Sequence, residues 1–268
     1  MPGTSSRRHA FTFTKWYLDC VCDDGRTAIC YWAALAWRGL SLTWQAVSVW
    51  ENERRTLKRS TLEGSMTPVR KDNRIAWCAP GLKCQVAADA CEQTVALRLF
   101  ENSTGFLDWR CEAASARVTL DVAGFAPLRG LGYVERLELT IPPWQLPIRE
   151  LRWGHWTDRH AAHSIVWIDW RGEEPRTWVF VDGTLAAAVE VQDDRVHLAA
   201  SALMLAGSST LSSDALDDIV GRIPPLRAVV PSSLFALREV KWLSRGTWHR
   251  PGESSIEGPA LHERVVLR

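Results

Sequence analysis

Alternating apolar and polar positions are the dominant pattern along this chain. Over residues 94–100, three aliphatic side chains fall on one side of an extended backbone, and Thr94 and Arg98 fall on the other. Residues 117–122 repeat the pattern, with three aliphatic side chains opposite three polar ones. A period of two residues is typical of half-buried antiparallel strands. We therefore expect a protein built mainly from β-strands.

Two longer apolar runs, residues 28–37 and 41–50, are joined by the short segment R-G-L at 38–40, which predicts a β-hairpin. Further strands are predicted at residues 15–22, 133–141, 151–155, 164–170, 177–181, 185–191, 196–200 and 264–267. Turn signals such as D-D-G at 23–25 and D-G at 182–183 separate them. Many short strands at this spacing predict an all-β barrel or sandwich.

Three stretches depart from the strand pattern. Residues 51–73 are charged and weakly patterned, which predicts a long loop or an edge excursion. Residues 213–220 are the best helix candidate, because a serine can cap the start and Pro224-Pro225 prevents continuation. The proline-rich segment 142–147 indicates a junction near residues 125–148. We predict two barrel domains with little helix, at residues 1–130 and 131–268.

Composition narrows the class of protein. Hydrophobic residues make up 46% and charged residues 24%, which is typical of a globular chain. Lys and Arg number 32 against 31 Asp and Glu, so we expect no nucleic-acid partner. Residues 1–14 carry no apolar stretch of a secretory signal, and no segment approaches the length of a membrane span, so we expect no stable membrane insertion. Seven cysteines, an odd number, favour reduced thiols in a cytoplasmic protein.

Tryptophan is unusually frequent, with 15 residues against 7 Phe and 3 Tyr. Tryptophan supplies a large rigid ring with one hydrogen-bond donor. A tryptophan-rich interior is therefore either dense core or the wall of a lipophilic pocket, and core packing is the commoner role for any single residue.

Common catalytic and metal motifs are missing from the sequence. There is no glycine-rich phosphate loop, no G-x-S-x-G and no H-E-x-x-H. The cysteine spacings are not those of zinc sites. His155, His160 and His163 cluster around Asp158, and three histidines can bind a metal. Solvated histidines at the rim of a hairpin are the commoner outcome, so we expect no metal and no cofactor.

Two carboxylic acids share strand faces with apolar residues. Glu135 lies on the same face as Tyr133 and three aliphatic residues, and Asp169 lies on the same face as Ile165 and Trp167. Removal from water favours the protonated form of such an acid, which can then donate a proton near neutral pH. The alternative is a structural acid paired with an arginine or placed at a barrel mouth.

The same segments resemble the carotenoid 1,2-hydratase (hydroxyneurosporene synthase) group. K-W-Y-L-D at 15–19, followed by D-D-G at 23–25, is similar to its opening E-W-W-Y-x-D … D-G. G-Y-V-E at 132–135 resembles its G-Y-x-D, and L-R-W-G-H-W at 151–156 resembles its W-W-W-G-R strand. W-I-D at 167–169 falls where the hydratases carry Y-x-D. The group belongs to a set of two-domain lipocalin-like (calycin) proteins that also resembles tocopherol cyclases and some fungal Diels–Alderases.

The chain differs from the hydratases at two places. Arg136-Leu137-Glu138-Leu139 replaces the active-site H-x-W-G, and Lys15 replaces the first acid of the opening motif. The resemblance implies two lipocalin-like barrels and acid-assisted hydration, cyclisation or isomerisation of an isoprenoid or similar lipophile. Glu135 or Asp169 would be the proton donor and Tyr133 a relay. Aromatic faces stabilise a carbocation, and the implied substrate-binding residues are Trp16, Trp32, Trp44, Trp153, Trp167 and His155.

Two other functions remain open from the sequence. A non-catalytic carrier of a hydrophobic ligand would need the same apolar lining without the acids. A structural or assembly partner would have solid barrels, without a cavity of the size that drug-like ligands need, on the order of 300 Å³.

Overall fold

The computed structural model describes residues 10–63, 66–91, 94–187, 189–215 and 237–267. This part of the chain forms nineteen strands in two antiparallel sheets. Its only helical elements are two 3-10 turns, at Pro80–Leu82 and Pro143–Gln145. The predicted all-β fold with two antiparallel domains and little helix is confirmed.

Sheet A is formed by the first ten strands. Their order is β4-β3-β2-β1-β10-β9-β7-β6-β5, and β8 pairs with the start of β9. The strands are β1 (Phe11–Cys22), β2 (Thr27–Trp37), β3 (Leu40–Glu51), β4 (Arg54–Thr61), β5 (Val69–Lys71), β6 (Arg74–Ala79), β7 (Cys84–Ala90), β8 (Val95–Asn102), β9 (Gly105–Val122) and β10 (Leu128–Leu139).

Sheet B is formed by the last nine strands, in the order β14-β13-β12-β11-β19-β18-β17-β16-β15. They are β11 (Ile148–Thr157), β12 (Ser164–Gly172), β13 (Arg176–Val181), β14 (Thr184–Leu185), β15 (Glu190–Val191), β16 (Arg195–Leu198), β17 (Ser201–Ala215), β18 (Arg238–His249) and β19 (Ile256–Val266). The predicted limits 1–130 and 131–268 stay a prediction; residues 130 and 131 both lie in β10, and the chain passes between the sheets at residues 140–147.

The predicted hairpin between β2 and β3 is confirmed. Arg38 and Gly39 both have positive φ, at 49° and 80°, and Trp37 pairs with Leu40 across the turn. Two successive left-handed residues match the right-handed twist of the flanking strands, as in a type I′ turn.

Three local predictions need correction. The predicted helix at 213–220 is wrong over 213–215, which belong to β17 and pair with residues 238–240; its remainder lies outside the described residues. Segment 51–73, predicted as a long loop or an edge excursion, is not a loop throughout, because its charged part forms the exposed edge strand β4. The predicted strand 185–191 is two short strands, β14 and β15. The pairing of residues 213–215 with β18 is not local in sequence, and it overrides the local helix signals.

Alternation along the strands separates three apolar layers. In β1, Trp16 and Leu18 face the inner core of sheet A, whereas Tyr17 faces a layer shared with sheet B. We call this shared layer the inter-sheet layer; its fully buried members include Tyr17, Trp109, Tyr133, Val166, Ile168 and Leu261. The inner core of sheet B lies on the opposite face of that sheet and contains Trp156, Ile165 and Trp167. The candidate site lies in the inter-sheet layer.

His262 gives the fold a specific pH dependence. Its imidazole stacks on Trp242 at 5.2 Å and lies 2.8 Å from the Ser244 hydroxyl, and burial lowers its pKa to about 4. The unfolded chain binds this proton near the ordinary value of about 6.5. The neutral side chain therefore stabilises the fold above pH 6.5, and this stabilisation is lost as the pH falls towards 4.

Urea denaturation of the wild type and of His262→Gln at several pH values tests this dependence. Between pH 6.5 and 4 the wild type should lose up to about 3 kcal/mol more unfolding free energy than the variant. Parallel losses in the two proteins would exclude His262 as the cause.

Candidate functional site

Asp19 is the centre of a buried hydrogen-bond network that joins the two sheets. Its carboxylate is fully buried and lies on β1. Oδ2 accepts a hydrogen bond from the Tyr17 hydroxyl at 2.9 Å and lies 2.6 Å from Nε2 of His155 on β11. Oδ1 accepts the backbone N–H of Tyr133 at 3.1 Å. Because the carboxylate offers only acceptors, Nε2 of His155 carries the proton that Asp19 accepts.

This arrangement leaves the second nitrogen of His155 as a free acceptor. His155 is 4% exposed, and its ring stacks on Tyr133 with centroids 4.5 Å apart and planes 12° apart. Within the described residues, buried Nδ1 of His155 and buried Nε1 of Trp153 have no hydrogen-bond partner. A buried polar atom without a partner is costly, so such a pair is a signature of ligand or water binding.

Glu135 forms a second polar group in the same layer. Its Oε2 accepts hydrogen bonds from Nε1 of Trp109 at 2.7 Å and from the Tyr133 hydroxyl at 3.1 Å. Its Oε1 lies 3.6 Å from Nζ of Lys15. Three donors thus surround the carboxyl group, which acts here as an acceptor. Tyr133 connects the two groups, because its hydroxyl binds Glu135 and its ring covers His155.

The two tyrosines of the network are held as neutral donors. Burial, reinforced by the charge of Asp19, raises the pKa of Tyr17 well above its usual range. Burial also raises the pKa of Tyr133 well above its usual range, with Cys111 and Glu135 adding to the effect. Each hydroxyl therefore keeps its proton near neutral pH and donates a hydrogen bond to its carboxylate acceptor.

Irregular pairing between strands β9 and β10 sets the positions of the Tyr133 and Glu135 side chains. The register between β9 and β10 shifts on either side of Val134, and the Glu112 position is skipped between the pairs Val134–Ala113 and Glu135–Cys111. Such bulges re-aim side chains next to sites. Gly132 lets β10 approach β1 closely, since a Cβ atom there would collide with the carbonyl oxygen of Asp19.

A buried lysine extends the network in sheet B. Lys241 on β18 pairs with Glu239 at 2.9 Å and closely with Glu263 on β19, and its ammonium lies 5.8 Å from the centre of the Tyr17 ring. Burial lowers its pKa, and the charge of Glu239 opposes the shift. Lys15 lies over the same ring at 5.9 Å and is itself partly exposed. The two cations and their carboxylates line the more polar side of the layer.

The structure brings together four of the nine residues predicted from the sequence. Tyr133, Glu135, Trp153 and His155 all lie in the inter-sheet layer, within one network. Trp44 is half-buried beside Tyr31, at 5.8 Å between ring centres, near the rim of that layer.

The remaining predicted residues lie in other compartments. Trp16 and Trp32 belong to the inner core of sheet A, where the cavity that they line measures about 10 Å³, room for one water molecule. Trp167 belongs to the inner core of sheet B. Asp169 shares the face of Trp167 and binds Arg171 at 2.6 Å and Thr177 at 2.8 Å. Glu135 and Asp169 therefore do not face one cavity.

The three clustered histidines have different surroundings. His155 is directed towards Asp19, whereas Nδ1 of His163 lies 2.9 Å from Asp182 at the surface. In the described part of the chain, no group of three His, Cys, Asp or Glu side chains is placed to hold a metal ion. Nor does any described helix reach the length and apolarity of a membrane span.

Sequence reasoning missed Asp19, Tyr17, Lys15, Trp109 and Lys241 as site residues. A signal existed for Asp19, which is the single acid in the apolar run at 16–22. Lys241 carries no such signal, because Arg238 and Glu239 stand close to it in the same strand. The reasoning that identified Glu135, a lone acid among apolar residues of a strand, therefore identifies Asp19 as well.

The fold and the site define a class of protein: a two-sheet, calycin-like all-β protein with a buried carboxylate–histidine network between its sheets. The sequence matches no protein-family profile and none of the curated proteins.

Solved structures share this fold. CghA in complex with Sch210972 superposes with a TM-score of 0.56 at 10% identity, covering 96% of this chain and 88% of that chain. Kievitone hydratase from Nectria haematococca gives 0.55 at 8% identity, over 96% and 89%. A Nitrosomonas europaea protein provisionally named AttH gives 0.54 at 10%, over 94% and 92%. The fold expected from the sequence resemblance is confirmed.

Proposed function

We propose that this protein is a cofactor-free enzyme that transfers protons to and from a small lipophilic molecule bound in the inter-sheet layer. The observation that carries the proposal is the 2.6 Å contact between Asp19 and His155, together with the unpartnered Nδ1 of His155. A carboxylate that orients an imidazole and leaves its other nitrogen free is the usual arrangement of a general base.

The surroundings suit this chemistry. Trp109, Trp153 and Tyr133 give the network aromatic walls that exclude water and can stabilise positive charge. The Tyr133 hydroxyl, which binds Glu135 at 3.1 Å, is the relay through which that carboxyl group exchanges a proton with the ligand. Proton removal at one atom and delivery at another is the common element of hydration, cyclisation and isomerisation. Among proteins of the same fold, CghA was solved with a small molecule and another is named a hydratase.

Deuterium transfer from D2O into lipid probes tests the proposal without knowledge of the natural substrate. Two isoprenoids with the same skeleton, β-ionone and β-ionol, are incubated with the protein in D2O and recovered for mass spectrometry. We expect incorporation above the buffer background in at least one of them. Incorporation into neither probe would contradict the proposal.

A pair of acid variants tests whether the reaction takes place in the inter-sheet layer or on the opposite face of sheet B. Glu135→Gln should lower the rate of incorporation at least about a hundredfold, the usual size of a general acid–base effect. Asp169→Asn, which changes an arginine-bound acid of the other face, should retain a rate within about threefold of the wild type. A large loss of rate in Asp169→Asn and a small loss in Glu135→Gln would place the reaction at Asp169 and contradict the proposed site.

A further inference from the structure

Two buried atoms without partners, on residues of one strand in the inter-sheet layer, differ in polarity. In the tautomer set by Asp19, Nδ1 of His155 accepts a hydrogen bond, whereas Nε1–H of Trp153 donates one. Both residues are buried, at 4% exposure each, and they lie two positions apart on β11. Because side chains two apart in a strand share a face, both rings lie in the inter-sheet layer.

The two residues with unpartnered atoms lie close together in the inter-sheet layer. The ring centres of Trp153 and His155 are 5.8 Å apart, and the Tyr133 ring packs against both, at 5.3 Å and 4.5 Å. A ligand that uses both atoms offers an oxygen acceptor to Nε1–H and a hydrogen to Nδ1, which a base can remove as a proton. A carbonyl group with a hydrogen on its α-carbon has this arrangement.

We propose that the substrate of the inter-sheet site is a lipophilic, enolisable carbonyl compound, with His155 as the base and Trp153 as the donor to its oxygen. This inference rests on the proposed function and specifies its substrate class. Trp153 thereby becomes a residue that recognises the carbonyl group, in addition to an apolar wall.

The proton-transfer step balances without an oxidant or a reductant. The bond between the α-carbon and its hydrogen breaks, and the proton moves to Nδ1 of His155. The electron pair forms the carbon–carbon double bond of an enolate, and the carbonyl π pair moves to oxygen. Nε1–H of Trp153 donates to that oxygen, as a donor of an oxyanion hole does. Return of a proton from His155 to carbon restores the ketone.

The position of the deuterium in the two probes tests the substrate class. β-Ionone carries an enolisable methyl ketone, whereas β-ionol has an alcohol at the same carbon. In D2O, NMR should show deuterium in the methyl group next to the carbonyl of β-ionone and none in the corresponding methyl group of β-ionol. Label only at olefinic carbons of both probes would overturn this inference and leave the proposed function standing. Label in neither would overturn both.

Variants that remove one hydrogen-bonding atom test the residue roles. Trp153→Phe keeps an aromatic ring and removes the donor, so exchange of β-ionone should fall about a hundredfold. Trp248→Phe is the matched control, since its indole N–H binds Ser201 at 3.1 Å in the inner core of sheet B. A Trp153→Phe rate equal to that of Trp248→Phe would overturn the proposal, as expected if the two unpartnered atoms simply share a structural water.

Discussion

His155→Gln is expected to lower the rate of deuterium transfer into β-ionone about a thousandfold, within the range usual for loss of a general base. The imidazole is the only proposed base of the site, and Asp19 holds it through Nε2 at 2.6 Å. Glutamine is the suitable replacement because its amide can still donate to Asp19, which also keeps its bonds from Tyr17 and from the backbone of Tyr133. The variant should therefore fold, and its thermal unfolding midpoint checks this.

Asp19→Asn tests the same base independently, by the same measurement of deuterium transfer into β-ionone. An amide can present N–H to Nε2 and so favour the tautomer in which Nδ1 carries the proton and cannot act as a base. We expect a loss close to that of His155→Gln. His197→Gln, on the short strand β16, is the control and should retain the wild-type rate. Transfer at the wild-type rate in His155→Gln would exclude the imidazole from the chemistry.

Lys241→Met is expected to lower the free energy of unfolding by about 3–5 kcal/mol, because it leaves the buried carboxylate of Glu263 without its cation. The lysine side chain is 4% exposed and that of Glu263 is 10% exposed, so water screens the remaining charge poorly. Glu239, at 30%, can turn towards solvent. Urea denaturation followed by tryptophan fluorescence measures the loss.

A second substitution distinguishes the unpaired charge from lost packing. Lys241→Met combined with Glu263→Gln should recover most of the stability, since no uncompensated charge is then buried. Arg98→Gln is the contrasting control, because its pair with Asp108 is exposed and should contribute less than about 1 kcal/mol. Equal losses in Lys241→Met and Arg98→Gln would show that the Lys241 cluster is screened like a surface pair.

The assignment of residues to strand faces from the sequence predicts much of the candidate site. Tyr133 and Glu135 were assigned to one face of β10, and Trp153 and His155 were named as binding residues; all four meet in the inter-sheet layer. Asp169 was identified by the same reasoning as Glu135 but lies on the other side of sheet B, beside Arg171. Face assignment tells which residues of one strand lie together, but it does not tell which compartment the face lines.

The sequence by itself determined that this protein is made of antiparallel strands. The two-residue period of its apolar positions can be satisfied only by half-buried strands, and turn residues such as Arg38-Gly39 mark where they reverse. It also determined that tryptophan is abundant and that single acids such as Glu135 share a strand face with apolar residues.

Only the tertiary structure decided which side chains form the site. Asp19 and His155 are 136 positions apart and meet because β1 and β11 pack their facing sides across the inter-sheet layer. Tyr133 and Glu135 take their orientation from the bulges between β9 and β10 and from the close approach of β10 to β1 at Gly132. Those contacts depend on how two curved sheets pack, and local periodicity carries no information about that packing.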